Sequence, residues 1–180
     1  MDQSWQKVQG YRSGYHSITL YEGKRSESKM IYSFLRPDKV RMDIELPKKG
    51  AVLLYNAVIN KEVQVRPFPG MPFFVLKYDL KHPRVSSDSG RTVAQSHIGG
   101  RIESVCGELR ARLDLLVQDE PNRVVITGAN PFYKKILYLN ANALPWKVED
   151  YDESGKVVSL NEFTDIEVNP LFNPDLFTKF

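Results

Sequence analysis

Along most of the chain apolar and polar residues alternate with a period of two, and turn-forming residues interrupt the alternation at short intervals. This is the pattern of successive half-buried β-strands. In GYHSITLYEG, His16, Ile18 and Leu20 alternate with Tyr15, Ser17, Thr19 and Tyr21, which predicts a strand whose dry face carries Ile18 and Leu20. The stretch GKRSES then predicts a polar turn and SKMIYSFLRP a returning strand, together a hairpin. After Arg36-Pro37-Asp38 the alternation is cleanest, with Val40, Met42, Ile44 and Leu46 on one side and Arg41, Asp43 and Glu45 on the other. Pro37 has no backbone donor and is expected at the strand break. AVLLYNAVINKEVQVRPFP predicts two short strands about a turn near Asn60-Lys61, the second with Val63 and Val65 on one face. In PFPGMPFFVLKYDL, closely spaced prolines exclude regular pairing, so a loop is expected in which packing places Phe68, Met71, Phe73 and Phe74.

One segment changes period. Ile98, Ile102, Val105, Leu109, Leu113 and Leu116 recur at helical spacing, with Glu108 and Arg112 four apart on the polar side. Thr92 and Gln95 fit a capping box, while Gly99-Gly100 would each weaken a continuous helix by about 1 kcal/mol. The pattern therefore predicts a short separate turn and then a helix over 101–117. Strands return in RVVITG, KKILYLN, PWKVEDY and KVVSLNEFTDIEV, with 152–155 turning the third into the fourth. The fold class that follows is mainly β (α+β): one domain over 1–180, a curved antiparallel sheet forming an incomplete barrel, covered by one main helix.

Composition removes several function classes. The 25 basic and 22 acidic residues are dispersed, so no basic patch is available to hold nucleic-acid phosphates, and no nucleic-acid partner is expected. Cys106 is the sole cysteine, which excludes an internal disulfide and a thiolate-rich zinc site. No apolar run is long enough for a membrane-spanning helix, and MDQSWQKVQG lacks the apolar core of a signal peptide. That leaves a cytoplasmic protein, or an exported one whose signal has been replaced by a start methionine.

Candidate chemistry is sparse. His16, His82 and His97 have no metal-ligand spacing, and Cys106 beside the helical stripe is the pattern of a small core residue. HIGGR matches neither phosphate-loop pattern and suits a bend at the helix start. Asp43/Glu45, Glu149/Asp152 and Asp165/Glu167 are expected on solvated outer faces. Neither metal nor cofactor is expected, and the chain is not expected to be an enzyme. Tyr32, Phe34, Phe73, Phe74, Phe132, Tyr138 and Trp146 supply more apolar bulk than a small sheet requires, which suits either a solid core or an apolar pocket.

The order of RPDKVRMDI, a proline-rich stretch, a helix, ILYLNANALPWKVEDYDESGKVVSLNEFTDIEVNP and a terminal NPDLFTKF resembles the LolA/LolB-like superfamily of periplasmic lipoprotein carriers and outer-membrane lipoprotein-sorting proteins. The most specific parts are the Arg36-Pro37 context and the tail. The resemblance implies an incomplete barrel covered by helices, an apolar cavity for acyl chains, and residence in the periplasm or cell envelope. It implies that Arg36 matches an arginine tied to lid contacts and ligand release. Val40 stands where the carriers have an aromatic residue, and SWQKVQGY is short for their opening helix, so the chain resembles a divergent branch. On this basis the cavity is expected to be lined by Ile18, Leu20, Tyr32, Phe34, Val40, Met42 and Ile44 from the sheet and by Val105, Leu109 and Leu113 from the helix. The expected ligand is a lipid or lipoprotein acyl chain, whose transfer from water contributes about 0.8 kcal/mol per buried CH2. The alternative is an envelope interaction or stress-sensor domain that docks a protein partner on an open sheet edge.

Overall fold

The computed structural model describes residues 2–21, 23–71, 73–87, 90–129 and 131–180. Two antiparallel meanders make up one sheet. The first comprises β1 (Gly10–Tyr21), β2 (Lys24–Leu35), β3 (Lys39–Leu46), β4 (Val52–Asn56), β5 (Glu62–Arg66) and β6 (Leu76–Asp79). The second comprises β7 (Leu116–Glu120), β8 (Arg123–Ala129), β9 (Phe132–Leu139), β10 (Pro145–Tyr151) and β11 (Val157–Val168). The first and last strands pair, giving the order β6-β5-β4-β3-β2-β1-β11-β10-β9-β8-β7, with β6 and β7 as edges. The expected incomplete antiparallel barrel is the architecture found. One main helix, α2 (Ile98–Ala111), lies between the two meanders in sequence, and a short α1 (Asp2–Gln6) precedes β1.

The hairpin between β1 and β2 is tighter than its sequence predicts. Gly23, at φ +75°, supplies the left-handed turn, and Lys24–Ser28 continue as strand rather than turn. Ser17 pairs with Ser28 and Thr19 with Ser26, so the polar stretch finds cross-strand partners of its own kind. Pro37 sits in the turn between β2 and β3, as expected. All five residues of β4 are buried because both sheet faces are covered there. The 3-10 turn Pro174–Phe177 lays Phe177 beside Leu54 and Asn56 on the outer face, and the Arg41 guanidinium donates to the Leu176 and Lys179 carbonyls (3.1 and 2.8 Å).

The helix is displaced from its expected span. A 3-10 turn, Val93–Gln95, precedes it, in which Gln95 Oε1 accepts from the Thr92 backbone N–H and hydroxyl (3.3 and 3.1 Å). His97 then caps α2, its Nδ1 accepting from the Gly100 N–H at 3.0 Å. The two glycines lie inside the first helical turn, not ahead of it, each at a close approach: a Cβ on Gly99 would stand 2.1 Å from the Trp5 indole and one on Gly100 2.4 Å from the Gln95 carbonyl oxygen. At the other end Arg112 leaves helical geometry (φ −125°, ψ 95°), its guanidinium bound to Asp114 (2.6 Å) and the Pro131 carbonyl (2.9 Å). Leu113 is consequently 95% exposed and Leu116 belongs to β7. The apolar spacing continued past the helix, but the helix did not.

The expected loop over 67–80 holds only for its proline-bearing part. Leu76–Asp79 is β6, paired with β5, because no proline within 73–80 removes a backbone donor. In the loop itself packing does not place the side chains. Phe68, Met71 and Phe74 are exposed and Phe73 is 98% exposed, while Pro69 lies against Gly50. Two apolar clusters form the interior. The larger joins Trp5, Val8 and β1–β5 to Ile98 and Ile102, and the smaller joins Val105 and Leu109 to Val124, Ile126, Leu137 and Val148.

Candidate functional site

Side-chain direction on β1 decides what faces the concave side. Its register with β2 sets Tyr11 opposite Phe34, Ser13 opposite Tyr32 and Tyr15 opposite Met30. Because successive side chains alternate, the inward series on β1 is Tyr11, Ser13, Tyr15, Ser17 and Thr19. Ile18 and Leu20, expected to line the cavity, stand on the opposite face across from Glu27 and Arg25. The hydrophobicity of Ile18 and Leu20 pointed to the wrong face, since the inward series is the more polar of the two.

Between this face and the segment running into α2 lies a cavity of about 440 Å3. Tyr15, Ser17 and Thr19 of β1, Ser28, Met30 and Tyr32 of β2, Met42 of β3 and Leu53 of β4 form one part of its wall. Lys135, Val148, Asp150, Ser159 and Asn161 come from β9–β11, and Arg84–Ser87, Arg91–Val93, Ser96, Arg101 and Val105 supply the cover. Of the expected liners, Tyr32, Met42 and Val105 therefore reach the cavity. Phe34 and Val40 are buried in solid packing beside it, and Ile44 packs half-buried against the same cluster. Leu109 belongs to the smaller cluster, and Leu113 is in solvent.

Arg36 is not turned into the cavity. Its Nε donates to the Val8 carbonyl (2.7 Å) and a terminal nitrogen to the Trp5 carbonyl (3.1 Å), with the guanidinium 5.0 Å from the Trp5 ring centre. It thereby fastens the end of α1 over an aromatic stack in which His97 lies 4.4 Å from Phe34 and 5.5 Å from Trp5. Burial first, and then the Arg36 charge, push the His97 pKa down to about 4. His97 is a neutral structural ring.

The polar part of the cavity centres on Arg101. This residue is 6% exposed and donates to the Tyr15 hydroxyl (2.6 Å) and Asn161 Oδ1 (2.9 Å), while its Nε has no hydrogen-bond partner among the described residues. Lys135, also buried, is paired with Glu108 (3.1 Å) and Asp150 (3.4 Å). Burial opposes ionisation of Glu108, but hydrogen bonds from Tyr133 and Lys135 and the Lys135 charge hold its carboxyl below the usual range. The outer face holds a second polar knot. Glu149, expected to be solvated, is buried and accepts from Tyr138 (2.9 Å), Tyr151 (2.6 Å) and Lys147 (2.8 Å).

Sequence patterning missed Trp5, Tyr11, Met30, Arg101 and Asn161. Tyr11, Tyr15 and Met30 share one face of the β1–β2 ladder and could have been found by extending the alternation back from Tyr15. Arg101 and Asn161 carried no such signal, because a buried polar residue has no periodic mark. Among the described residues no group of three or more His, Cys, Asp or Glu side chains is arranged to hold a metal ion. His16 pairs with Glu27 at 2.9 Å, and Cys106 packs half-buried against the larger cluster. No helix among the described residues is long and apolar enough to cross a membrane.

No protein-family model and no curated protein matches the chain. Solved structures do. An uncharacterised conserved protein from Thermus thermophilus is similar over 97% of this chain and 91% of its own, at 13% identity and a TM-score of 0.52. The likeness is one of fold. The LolA superfamily protein NE2245 from Nitrosomonas europaea also appears, at 13% identity over 96% of this chain and 91% of that one, with a TM-score of 0.46. The Pseudomonas aeruginosa MucA/MucB complex matches 98% of this chain and 58% of that one, at 14% identity and a TM-score of 0.45.

Proposed function

We propose that the protein binds the acyl chain of a lipid or lipoprotein in the concave cavity and serves lipoprotein transport or sorting in the cell envelope. The observation that carries this reading is a cavity of about 440 Å3 left between the sheet and its cover. That volume falls in the roughly 300–1,000 Å3 range of ligand pockets. Met30, Met42, Leu53, Val93 and Val105 form its apolar wall. Two methionines suit a site that adapts to a flexible chain, because an unbranched thioether repacks at little cost. In this reading Tyr32, Met42 and Val105 contact the ligand, while Arg36 holds Trp5 and Val8 and does not contact it.

Native mass spectrometry of gently purified protein is expected to show adducts with acyl-chain masses. Met30→Trp, which fills the cavity, is expected to abolish them while the protein stays folded by circular dichroism. Repeated bare protein from wild type, together with no binding of added dodecanol, counts against the proposal.

One observation favours a second reading, a protein-interaction domain. Edge strand β7 is almost wholly exposed, with Leu116 and Val117 open to solvent, and suits pairing with an extended partner strand. Under that reading a photo-crosslinker at Gln118 traps one discrete envelope protein, and Val117→Pro abolishes the adduct.

A further inference from the structure

The cavity is amphipathic, and its charges do not balance. Met30, Met42 and Leu53 lie on β2–β4, whereas Tyr15, Ser17, Ser159 and Asn161 lie where β1 meets β11. Its lining contains four cations, Arg84, Arg91, Arg101 and Lys135, against one carboxylate, Asp150. Lys135 is neutralised by Glu108 and Asp150, and exposed Arg84 donates to the Tyr78 hydroxyl at 3.2 Å. Arg101 and Arg91 are different. No carboxylate among the described residues forms an ion pair with either, and Arg101 keeps a buried Nε with no hydrogen-bond partner among them. Burial and then the neighbouring Arg101 charge disfavour the charged form of Arg91 and outweigh the weaker pull of Asp150 and Glu108, so the two guanidiniums act on each other through the cavity. The Arg101 guanidinium also lies 5.6 Å from the Tyr15 and Phe163 ring centres. A buried cation held by a phenol, an amide and two ring faces is still costly to keep unless an anion completes its surroundings.

Building on the acyl-chain reading, we propose that the cavity selects a single-chain anionic amphiphile, whose carboxylate or phosphate seats against Arg101 and Arg91 and whose tail runs along Met30, Met42 and Leu53. The guanidinium fork suits either headgroup, because both present paired oxygens to parallel N–H donors. The inward hydroxyl series of β1 then has a purpose. Those side chains hydrate or hydrogen-bond a headgroup where an all-aliphatic wall would exclude it.

The test uses three probes with the same twelve-carbon tail, dodecanoate, dodecyl phosphate and dodecanol, titrated into the intact protein at pH 8 by calorimetry. At least one anion is expected to bind about tenfold more tightly than the alcohol, as a charge-assisted hydrogen bond would give. Whether dodecanoate or dodecyl phosphate is preferred identifies the headgroup. Arg101→Gln is expected to bring the anion-to-alcohol ratio close to one. Should that variant fail to fold, Arg91→Gln, at a half-buried position outside the helix, is expected to lower the ratio severalfold, and Arg101→Lys to retain part of it. Equal binding of all three probes by wild type overturns the anion site and leaves the acyl reading standing. Binding of none overturns the acyl reading itself. An anion preference that survives both Arg91→Gln and Arg101→Lys undiminished overturns the assigned seat.

Discussion

His97 serves two structural ends with one ring: it caps α2 and stacks between Trp5 and Phe34, and it stays neutral to do both. Protonating Nδ1 would replace an acceptor with a donor facing the Gly100 N–H. The folded pKa, about 4, lies below the unfolded value near 6.5, so the folded state binds fewer protons between them. The stabilisation is complete above about pH 6.5 and is lost as the pH falls through 4, a contribution on the order of 3 kcal/mol. Urea unfolding is therefore expected to lose stability between pH 6.5 and 5, above the carboxylate range. His97→Asn, which keeps a cap acceptor, is expected to flatten that slope. Gly99→Ala is a second test at this scale. A methyl driven into the Trp5 ring is expected to cost about 1–3 kcal/mol in the same assay, the usual range for overpacking. Neither role was legible in sequence, where the histidine lacked a motif and the glycines read as breakers. The stacking of His97 and the need for glycine at position 99 both come from Trp5, more than ninety residues away in sequence.

Among the elements, those set by local pattern emerged close to expectation and those set by a distant partner did not. β3 kept its alternation through Val40 and Met42, though Ile44 is only half-buried and Leu46, expected on the dry side, is exposed where the strand runs out past the core. Pro37 kept its turn. The helix kept its stripe as far as Leu109, but its end was chosen by the Arg112–Asp114 contact and not by the leucines that follow. The tail gains its weight from its site on β4. Phe177→Ala is expected to cost about 3 kcal/mol in chemical denaturation, as for other buried phenylalanines. Asn169, at φ +54°, fastens the end of β11 to the start of β1 by accepting from the Gln9 and Gly10 N–H groups (2.7 and 3.2 Å). The proline-rich loop is the opposite case. Phe73→Ser is expected to leave the unfolding midpoint within about 0.5 kcal/mol of wild type, since its side chain has nothing to lose.

In the whole molecule, the pairing of β1 with β11 turns two sequence-local meanders into one sheet and creates the concave face. The cavity lies across that junction, with Tyr15 and Ser17 from one side and Ser159 and Asn161 from the other. Filling it tests the whole arrangement. Met30→Trp should keep the fold while excluding an acyl probe, because the added volume enters open space instead of packed core.

By itself the sequence determined the class of fold, every strand among the described residues except the two edges β6 and β7, the presence of one main helix and the absence of any motif for catalysis. Period-two alternation and turn residues act over a few neighbours and can be read without tertiary contacts. Tertiary structure alone decided which face of β1 turns inward, where α2 begins and ends, and that Arg101 is buried against Tyr15 and Asn161. The reason is the same in each case. A strand's alternation names two faces but not which is inside, and a buried arginine is recognised by partners 60 to 86 residues away in the chain, brought to it only when the sheet closes around the helix.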